Sequence, residues 1–319
     1  MHKVSFVIPC YASEHTIHLV IQEVDSAMEK LGKYEWEYVL VNDCSPDDTF
    51  KAIKTLCLQY PNIIGINLAR NFGQHAALMA GFNHISGDII VCLDDDGQTP
   101  GDEVGKLLDK IEEGYDVVYA KYANKKHSGF RNMGSQLNSK MAEYLLDKPH
   151  DLFISSYFAA RRFVVDEMIK YENSFPYVIG LVLRSTQNIT NVDVTHRNRM
   201  EGTSGYSLNK LIALWLNGFT AFSVKPLRLA SLIGILFAVI GFICTIALIV
   251  NKLLHPATVL LGWSSTMSVM MLLGGIILIV LGIIGEYIGR IYICINKSPQ
   301  YVIRERIGRN QNFLNEKEA

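Results

Sequence analysis

Three consecutive aspartates, Asp94-Asp95-Asp96, followed by Gly97 and Gln98, are the residues of this chain best suited to chemistry. They end an apolar run, DIIVCL at 88–93, that reads as a buried strand. Hard divalent cations bind carboxylate and carbonyl oxygens. Such a cation neutralises the charge that develops on a departing phosphate group. Asp94 and Asp96, two apart at a strand end, can both turn toward one ion, and Gln98 extends the same alternation. Asp-rich strand ends also occur as solvated turns, so this cluster alone leaves both readings open. A further carboxylate, Asp43, ends the apolar run at 38–41. There it is placed to accept hydrogen bonds from a nucleoside base or ribose.

The elements that must position these groups follow from periodicity. Apolar strand-like runs at 4–8, 38–41, 63–68, 88–93 and 115–120 alternate with helical patterns over 14–31, 47–59, 74–85 and 102–113. That alternation predicts crossover connections and a parallel sheet with helices on both faces. Ligands of such sheets bind outside the carboxyl ends of the strands. Asp43 and Asp94–Asp96 both fall there.

With a net charge of −1, nothing marks the chain as a general nucleic-acid binder. Six cysteines without CxxC spacing read as small buried hydrophobes in a reducing compartment, not as metal ligands or disulfides. The first apolar run is too short for a signal peptide, which predicts a cytosolic front half. Residues 121–135 and 196–206 read as basic, glycine-bearing loops, and 207–222 as an amphipathic segment. Residues 229–250 carry no charge, enough helix for about 33 Å at 1.5 Å per residue, and a second span is expected at 266–288. Lys225 and Arg228 precede the first span, and Arg290, Lys297, Arg304, Arg306 and Arg309 follow the second. The intervening loop holds only Lys252 and His255. Positive charge gathers on the cytoplasmic side, so both ends are expected in the cytoplasm.

Four segments carry a resemblance. Pro9-Cys10-Tyr11-Ala12-Ser13-Glu14, Val41-Asn42-Asp43-Cys44-Ser45, Asp94 through Pro100, and His196-Arg197-Asn198-Arg199 with Gly202 through Tyr206 occur in order. Together they resemble glycosyltransferase family 2, in the polyprenyl-phosphate branch that includes dolichyl-phosphate mannose synthases and bactoprenol glucosyltransferases. The resemblance implies an α/β fold of GT-A type, a Rossmann-like, mostly parallel sheet with helices on both faces, plus a C-terminal two-helix transmembrane hairpin. It implies a cytoplasmic catalytic domain over 1–206, a juxtamembrane segment over 207–228, the hairpin over 229–288 and a cytoplasmic basic tail over 289–319.

On the same resemblance, Pro9, Tyr11, Glu14, Asp43, Asp94 and Asp95 hold the donor nucleotide. Asp94, Asp96 and Gln98 hold Mg²⁺ or Mn²⁺. Arg131, Arg199, Ser204 and Lys210 meet the acceptor phosphate. Two positions depart from the family pattern: Gly205 stands where it has lysine, and Ser156 where it often has aspartate. The nearest carboxylate to Ser156 is Asp151, which joins Asp96 and Arg199 as a catalytic candidate. The implied reaction transfers a sugar, with inversion, from a nucleotide-diphospho-sugar to undecaprenyl or polyprenyl phosphate for cell-envelope glycans. UDP is expected over GDP, with UDP-glucose or UDP-GlcNAc as donors. The implied protein is an integral protein of the bacterial plasma membrane, a homo-oligomer by family analogy. A processive polysaccharide synthase is disfavoured because no Q-x-x-R-W motif occurs. A decayed nucleotide-sugar-binding scaffold is disfavoured by the complete Asp94, Asp96 and Gln98 set.

Overall fold

Alternating burial organises the first half of the chain. β1 (His2–Cys10) leads to α1 (Ile17–Leu31), β2 (Tyr34–Asn42), α2 (Thr49–Gln59) and β3 (Ile63–Leu68). α3 (Gln74–Phe82), β4 (Ile89–Cys92), α4 (Val104–Glu112) and β5 (Val117–Ala123) follow. This computed structural model describes residues 2–123, 148–195 and 263–308, with residue 143 and scattered helical positions between 227 and 254. β6 (Phe158–Arg161), two short helices at Arg162–Ile169 and Val178–Ser185, β7 (Ile189–Thr195) and β8 (Ile303–Ile307) complete the sheet region.

Eight strands form one sheet in the order β7-β5-β6-β4-β1-β2-β3-β8. β1 pairs in parallel with β2 and β4, β2 with β3, and β5 with β7. The antiparallel pairings come from β6, against β4 and β5, and from β8, against β3. On one face Phe6, Tyr38 and Leu40 bury against Ile21 and Met28 of α1, Ile53 of α2 and Leu107 of α4. Each such fully buried aliphatic or aromatic side chain contributes about 1.5–3 kcal/mol. On the other face α3 lies very close to the strands. A Cβ on Gly81 would come 2.4 Å from Val7 Cγ1, so the approach requires glycine. That contact fixes where the first residue of α3 meets the sheet's carboxyl edge.

The chain divides into two units, Met1–Gly218 with Lys297–Ala319, and Phe219–Asn296. Within the second, one helix runs from Trp263 to Ile295, and its segment Leu273–Ile295 is long and apolar enough to cross a membrane. Ile277, Leu278, Ile279 and Ile291 on it are exposed, a surface that water disfavours. This helix runs past the expected end at 288 and takes in Glu286 and Arg290. The expected first span at 229–250 and the amphipathic segment at 207–222 lie outside the described residues, apart from isolated helical positions in the span.

The expected tail over 289–319 contains regular structure among its described residues. Its first residues continue the helix to Ile295, and Ile303–Ile307 is a strand of the catalytic sheet. β8 is fastened by Ala69 N–H to Val302 O at 2.8 Å, Arg304 Nη2 to Ala69 O at 3.0 Å, and the Lys54–Glu305 ion pair at 2.8 Å. Its charged residues suit an edge strand, where they discourage pairing with foreign chains.

Candidate active site

Sheet register sets the acidic residues side by side. Cys10 lies opposite Asn42, and Val7 opposite Cys92. Asp43 and Asp94 therefore leave the carboxyl ends of β2 and β4, with the end of β1 between them. The loop after β1 is drawn toward Asp95: Tyr11 N–H donates to Asp95 Oδ2 at 2.8 Å, and Thr16 Oγ1 donates to Asp95 O at 2.7 Å. Ala12 takes a left-handed conformation, φ 55°, to make this turn. Burial pushes the Asp95 carboxyl up to about 6. Tyr11 N–H and the Ser13 hydroxyl oppose that shift, and the flanking Asp94 and Asp96 add to it. Tyr11 is 53% exposed, so its ring is open to solvent. Pro9 is half-buried.

Asp43 is buried, and both of its oxygens accept backbone amides: Phe72 N–H at 2.7 Å and Gly73 N–H at 2.8 Å. Burial raises its carboxyl above the usual range, against those two amides. These two bonds shape the turn into α3. Glu14 accepts Asp48 N–H at 2.8 Å at the start of α2 and pairs with His15 at 3.0 Å.

Asp94 and Asp96 carry neutral donors. Gln74 Nε2 donates to Asp94 Oδ1 at 2.9 Å, and the Ser156 hydroxyl donates to Asp94 Oδ2. Gln98 N–H donates to Asp96 Oδ1 at 3.0 Å across Gly97, φ 70°. Among the described residues no three His, Cys, Asp or Glu side chains are arranged to hold a metal ion. The set expected from the sequence is Asp94, Asp96 and the Gln98 amide. That chemistry fits a hard cation that takes its remaining ligands from phosphate oxygens and water.

Asp151 is exposed on a turn stabilised by Lys148 Nζ donating to Leu152 O at 2.6 Å. The side chain that reaches Asp94 from this stretch is Ser156. Arg131, Arg199, Ser204 and Lys210 lie outside the described residues.

Gln74 and Tyr122 were not legible as site residues. Gln74 opens α3 within the polar run Asn71-Phe72-Gly73-Gln74-His75, a signal that a reading focused on carboxylates passes over. Tyr122, near the end of β5, has its hydroxyl pushed up to about 12 by burial and then by the field of Asp94, which brings it into the acidic cluster's surroundings. His75 is pulled down to about 4 by burial, and its ring meets Tyr177 edge-on with centroids 5.1 Å apart. It is therefore neutral at pH 7.

Comparison with known proteins decides the family. Residues 5–169 match Glycosyl transferase family 2. The chain belongs to glycosyltransferase family 2. Residues 225–291 match the GtrB C-terminal hairpin, so the glycosyltransferase carries a membrane-associating module after its catalytic unit. An undecaprenyl-phosphate 4-deoxy-4-formamido-L-arabinose transferase of Photorhabdus laumondii is 34% identical, over 99% of this chain and 98% of that protein. The transferase of the same name from Yersinia enterocolitica is 35% identical, over 98% and 96%. Glucosyl-3-phosphoglycerate synthase from Mycobacterium tuberculosis, solved with UDP, superposes with TM-score 0.52 at 18% identity, covering 69% of this chain and 79% of that one. The same synthase with Mn²⁺, UDP and phosphoglyceric acid gives 0.51 at 20% identity, covering 69% and 76%. This glycosyltransferase therefore has the GT-A fold.

Proposed function

We propose that this glycosyltransferase transfers a sugar from a UDP-sugar to polyprenyl phosphate, using a divalent cation, at the cytoplasmic face of a membrane. The observation that carries the reading is the acidic set at the ends of β2 and β4, in a chain whose full-length relatives are named for transfer to undecaprenyl phosphate. Mn²⁺ and UDP in the synthase of like fold support the cation and the base. Asp94, Asp96 and Gln98 would hold the cation, which when bound offsets the charge that grows on the leaving diphosphate. Pro9, Tyr11, Glu14, Asp43, Asp94 and Asp95 would hold the nucleotide.

The acceptor needs no protein base. A phosphate monoester with a second pKa of about 6 is mostly dianionic at neutral pH, so its oxygen attacks directly and inverts the anomeric carbon. Ser156 and the exposed Asp151 are compatible with that, because positioning and electrostatics supply most of the barrier reduction. The proposed donor is a UDP-hexose such as UDP-glucose or UDP-GlcNAc. The relatives' names favour a second donor, nucleotide-linked 4-deoxy-4-formamido-L-arabinose. Purified protein, undecaprenyl phosphate and a panel of nucleotide sugars test both. Label entering the lipid fraction from one donor supports the reading, and none from any donor refutes it.

Arg199 is proposed to grip the acceptor phosphate, on its place in the basic, glycine-bearing sequence at 196–206, ahead of the stretch that matches the hairpin. A bidentate guanidinium–phosphate contact contributes about 1.5–3 kcal/mol. Arg199→Ala is expected to weaken apparent acceptor affinity roughly 10- to 100-fold, with lysine rescuing only in part. UDP binding by calorimetry is expected to stay unchanged. Weakened UDP binding with an unchanged KM for lipid would move Arg199 to the donor side.

The proposed topology draws on β8. A strand hydrogen-bonded into the catalytic sheet shares its side of the membrane, so on this reading the segment Phe219–Asn296 would cross an even number of times. This supports a two-span hairpin, and the distribution of Lys and Arg supports a cytoplasmic catalytic unit. In the His255→Cys variant an impermeant thiol reagent is expected to label from outside intact cells. In Asn310→Cys it should label only after permeabilisation. The opposite pattern would invert the proposed orientation.

A further inference from the structure

Asp94 is held from two sides by donors that belong to different elements. The first is Gln74, whose Nε2 donates to Oδ1 at 2.9 Å. Gln74 is the first residue of α3, and two constraints fix that position. Asp43 binds the Phe72 and Gly73 amides just before it, with Gly73 at φ 90°. α3 itself sits against Val7 through Gly81. Asp43 at the end of β2 is thereby linked to Asp94 beyond β4, across the end of β1.

The second donor is the Ser156 hydroxyl, on Oδ2. Its place is set by strand register. β4 and β6 are antiparallel with Cys92 opposite Phe158, so two residues further along, position 156 faces position 94. A carboxylate's terminal torsion is broad and nearly two-fold, so without partners the plane of Asp94 would swing. Gln74 on Oδ1 and Ser156 on Oδ2 together fix the plane.

We propose that Gln74 and Ser156 are positioning residues that lock the Asp94 carboxylate in the orientation that receives the divalent cation. The proposal rests on the reading of Asp94 as a cation ligand. Neither residue touches the reacting atoms. Both donors are neutral, so they orient the carboxylate without cancelling its charge. Partners that orient metal-binding side chains commonly control affinity or activity by about 10- to 100-fold.

The test is Mn²⁺ binding to the full-length detergent-solubilised protein with UDP present, read from the electron paramagnetic resonance of free Mn²⁺. Ser156→Thr and Ser156→Val are similar in size and differ in the hydroxyl. Thr is expected to bind Mn²⁺ within about 3-fold of wild type, and Val to bind roughly 10-fold more weakly. Gln74→Ala is expected to weaken binding similarly, while a Gln74→Ala, Ser156→Val double variant loses more than either. At saturating Mn²⁺ the single variants are expected to recover most of kcat, which a misfolded site would not. If Asp96→Ala abolishes Mn²⁺ binding but Ser156→Val and Gln74→Ala bind like wild type, the positioning role is overturned and the cation site stands. If the wild-type protein binds no Mn²⁺ with UDP, both the cation reading and the positioning role fall.

Discussion

Asp96→Asn is expected to lower kcat/KM by roughly 10³-fold, about 4 kcal/mol of transition-state stabilisation, while the protein keeps its thermal stability. The asparagine is informative because of what it preserves. Asp96 Oδ1 accepts Gln98 N–H at 3.0 Å across the Gly97 turn. An amide oxygen accepts the same bond, so the loop that presents Gln98 stays in place. What is lost is the formal charge. On the proposed reading the cation would lose an anionic oxygen and the diphosphate part of its counter-charge. Asp96→Ala removes the proposed ligand and the turn bond together and is expected to abolish transfer. Activity of Asp96→Asn is expected to recover partly as Mn²⁺ is raised, because weakened binding can be offset by concentration. Full turnover of the wild-type enzyme in excess EDTA would refute the cation's role outright.

The carboxylates were legible because strand ends announce themselves. Apolar runs terminate abruptly at Asp43 and Asp94, and parallel sheets gather such ends on one edge. The partners of those carboxylates were not legible. That Ser156 meets Asp94 depends on the antiparallel register of β6 against β4. β6 is four residues, Phe-Ala-Ala-Arg, without a β-branched side chain to mark it. Gln74 meets Asp94 because a glycine at 81 lets α3 settle closely on Val7, a packing detail that no periodicity encodes. β8 failed for another reason. Its sequence, Ile-Arg-Glu-Arg-Ile, alternates as a strand should. It sits in a stretch where positive charge dominates, and it pairs with a strand more than two hundred residues earlier. Long-range pairing leaves no local trace. β7 was missed likewise, an edge strand with one fully buried position, Val194.

At the opposite pole of the sheet a buried carboxylate offers a test of stability that leaves chemistry alone. Glu37 of β2 has a side chain only 3% exposed and pairs with Lys3 Nζ at 2.7 Å. It also accepts the Ser5 hydroxyl at 2.7 Å and Ser86 N–H at 2.6 Å. Ser5 Oγ in turn accepts Gly87 N–H at 2.8 Å, and a Cβ on Gly87 would meet Lys3 O at 2.7 Å, so this corner is closely packed. Glu37→Leu would leave the Lys3 ammonium and the Ser86 amide short of their acceptor. Breaking a buried pair costs about 3–5 kcal/mol, and the partial exposure of Lys3 favours the lower end. For a domain of this size about 3 kcal/mol corresponds to a fall in Tm of roughly 6–12 °C. Acid provides an independent check. Burial alone would raise the Glu37 carboxyl, but Lys3, Ser5 and Ser86 outweigh it and hold it below the usual range. A carboxylate lowered in the folded state contributes stability above its unfolded pKa, and that contribution fades as pH falls through the folded value. Wild-type Tm is therefore expected to drop below about pH 4.5, with Glu37→Leu showing a shallower slope over the same window. Activity per folded molecule at 20 °C is expected to match wild type, since the network lies at the amino ends of the strands and Asp94–Asp96 at the carboxyl ends. A Tm within 2 °C of wild type, or an unchanged acid slope, would show that Lys3 and Ser86 find water or other partners instead.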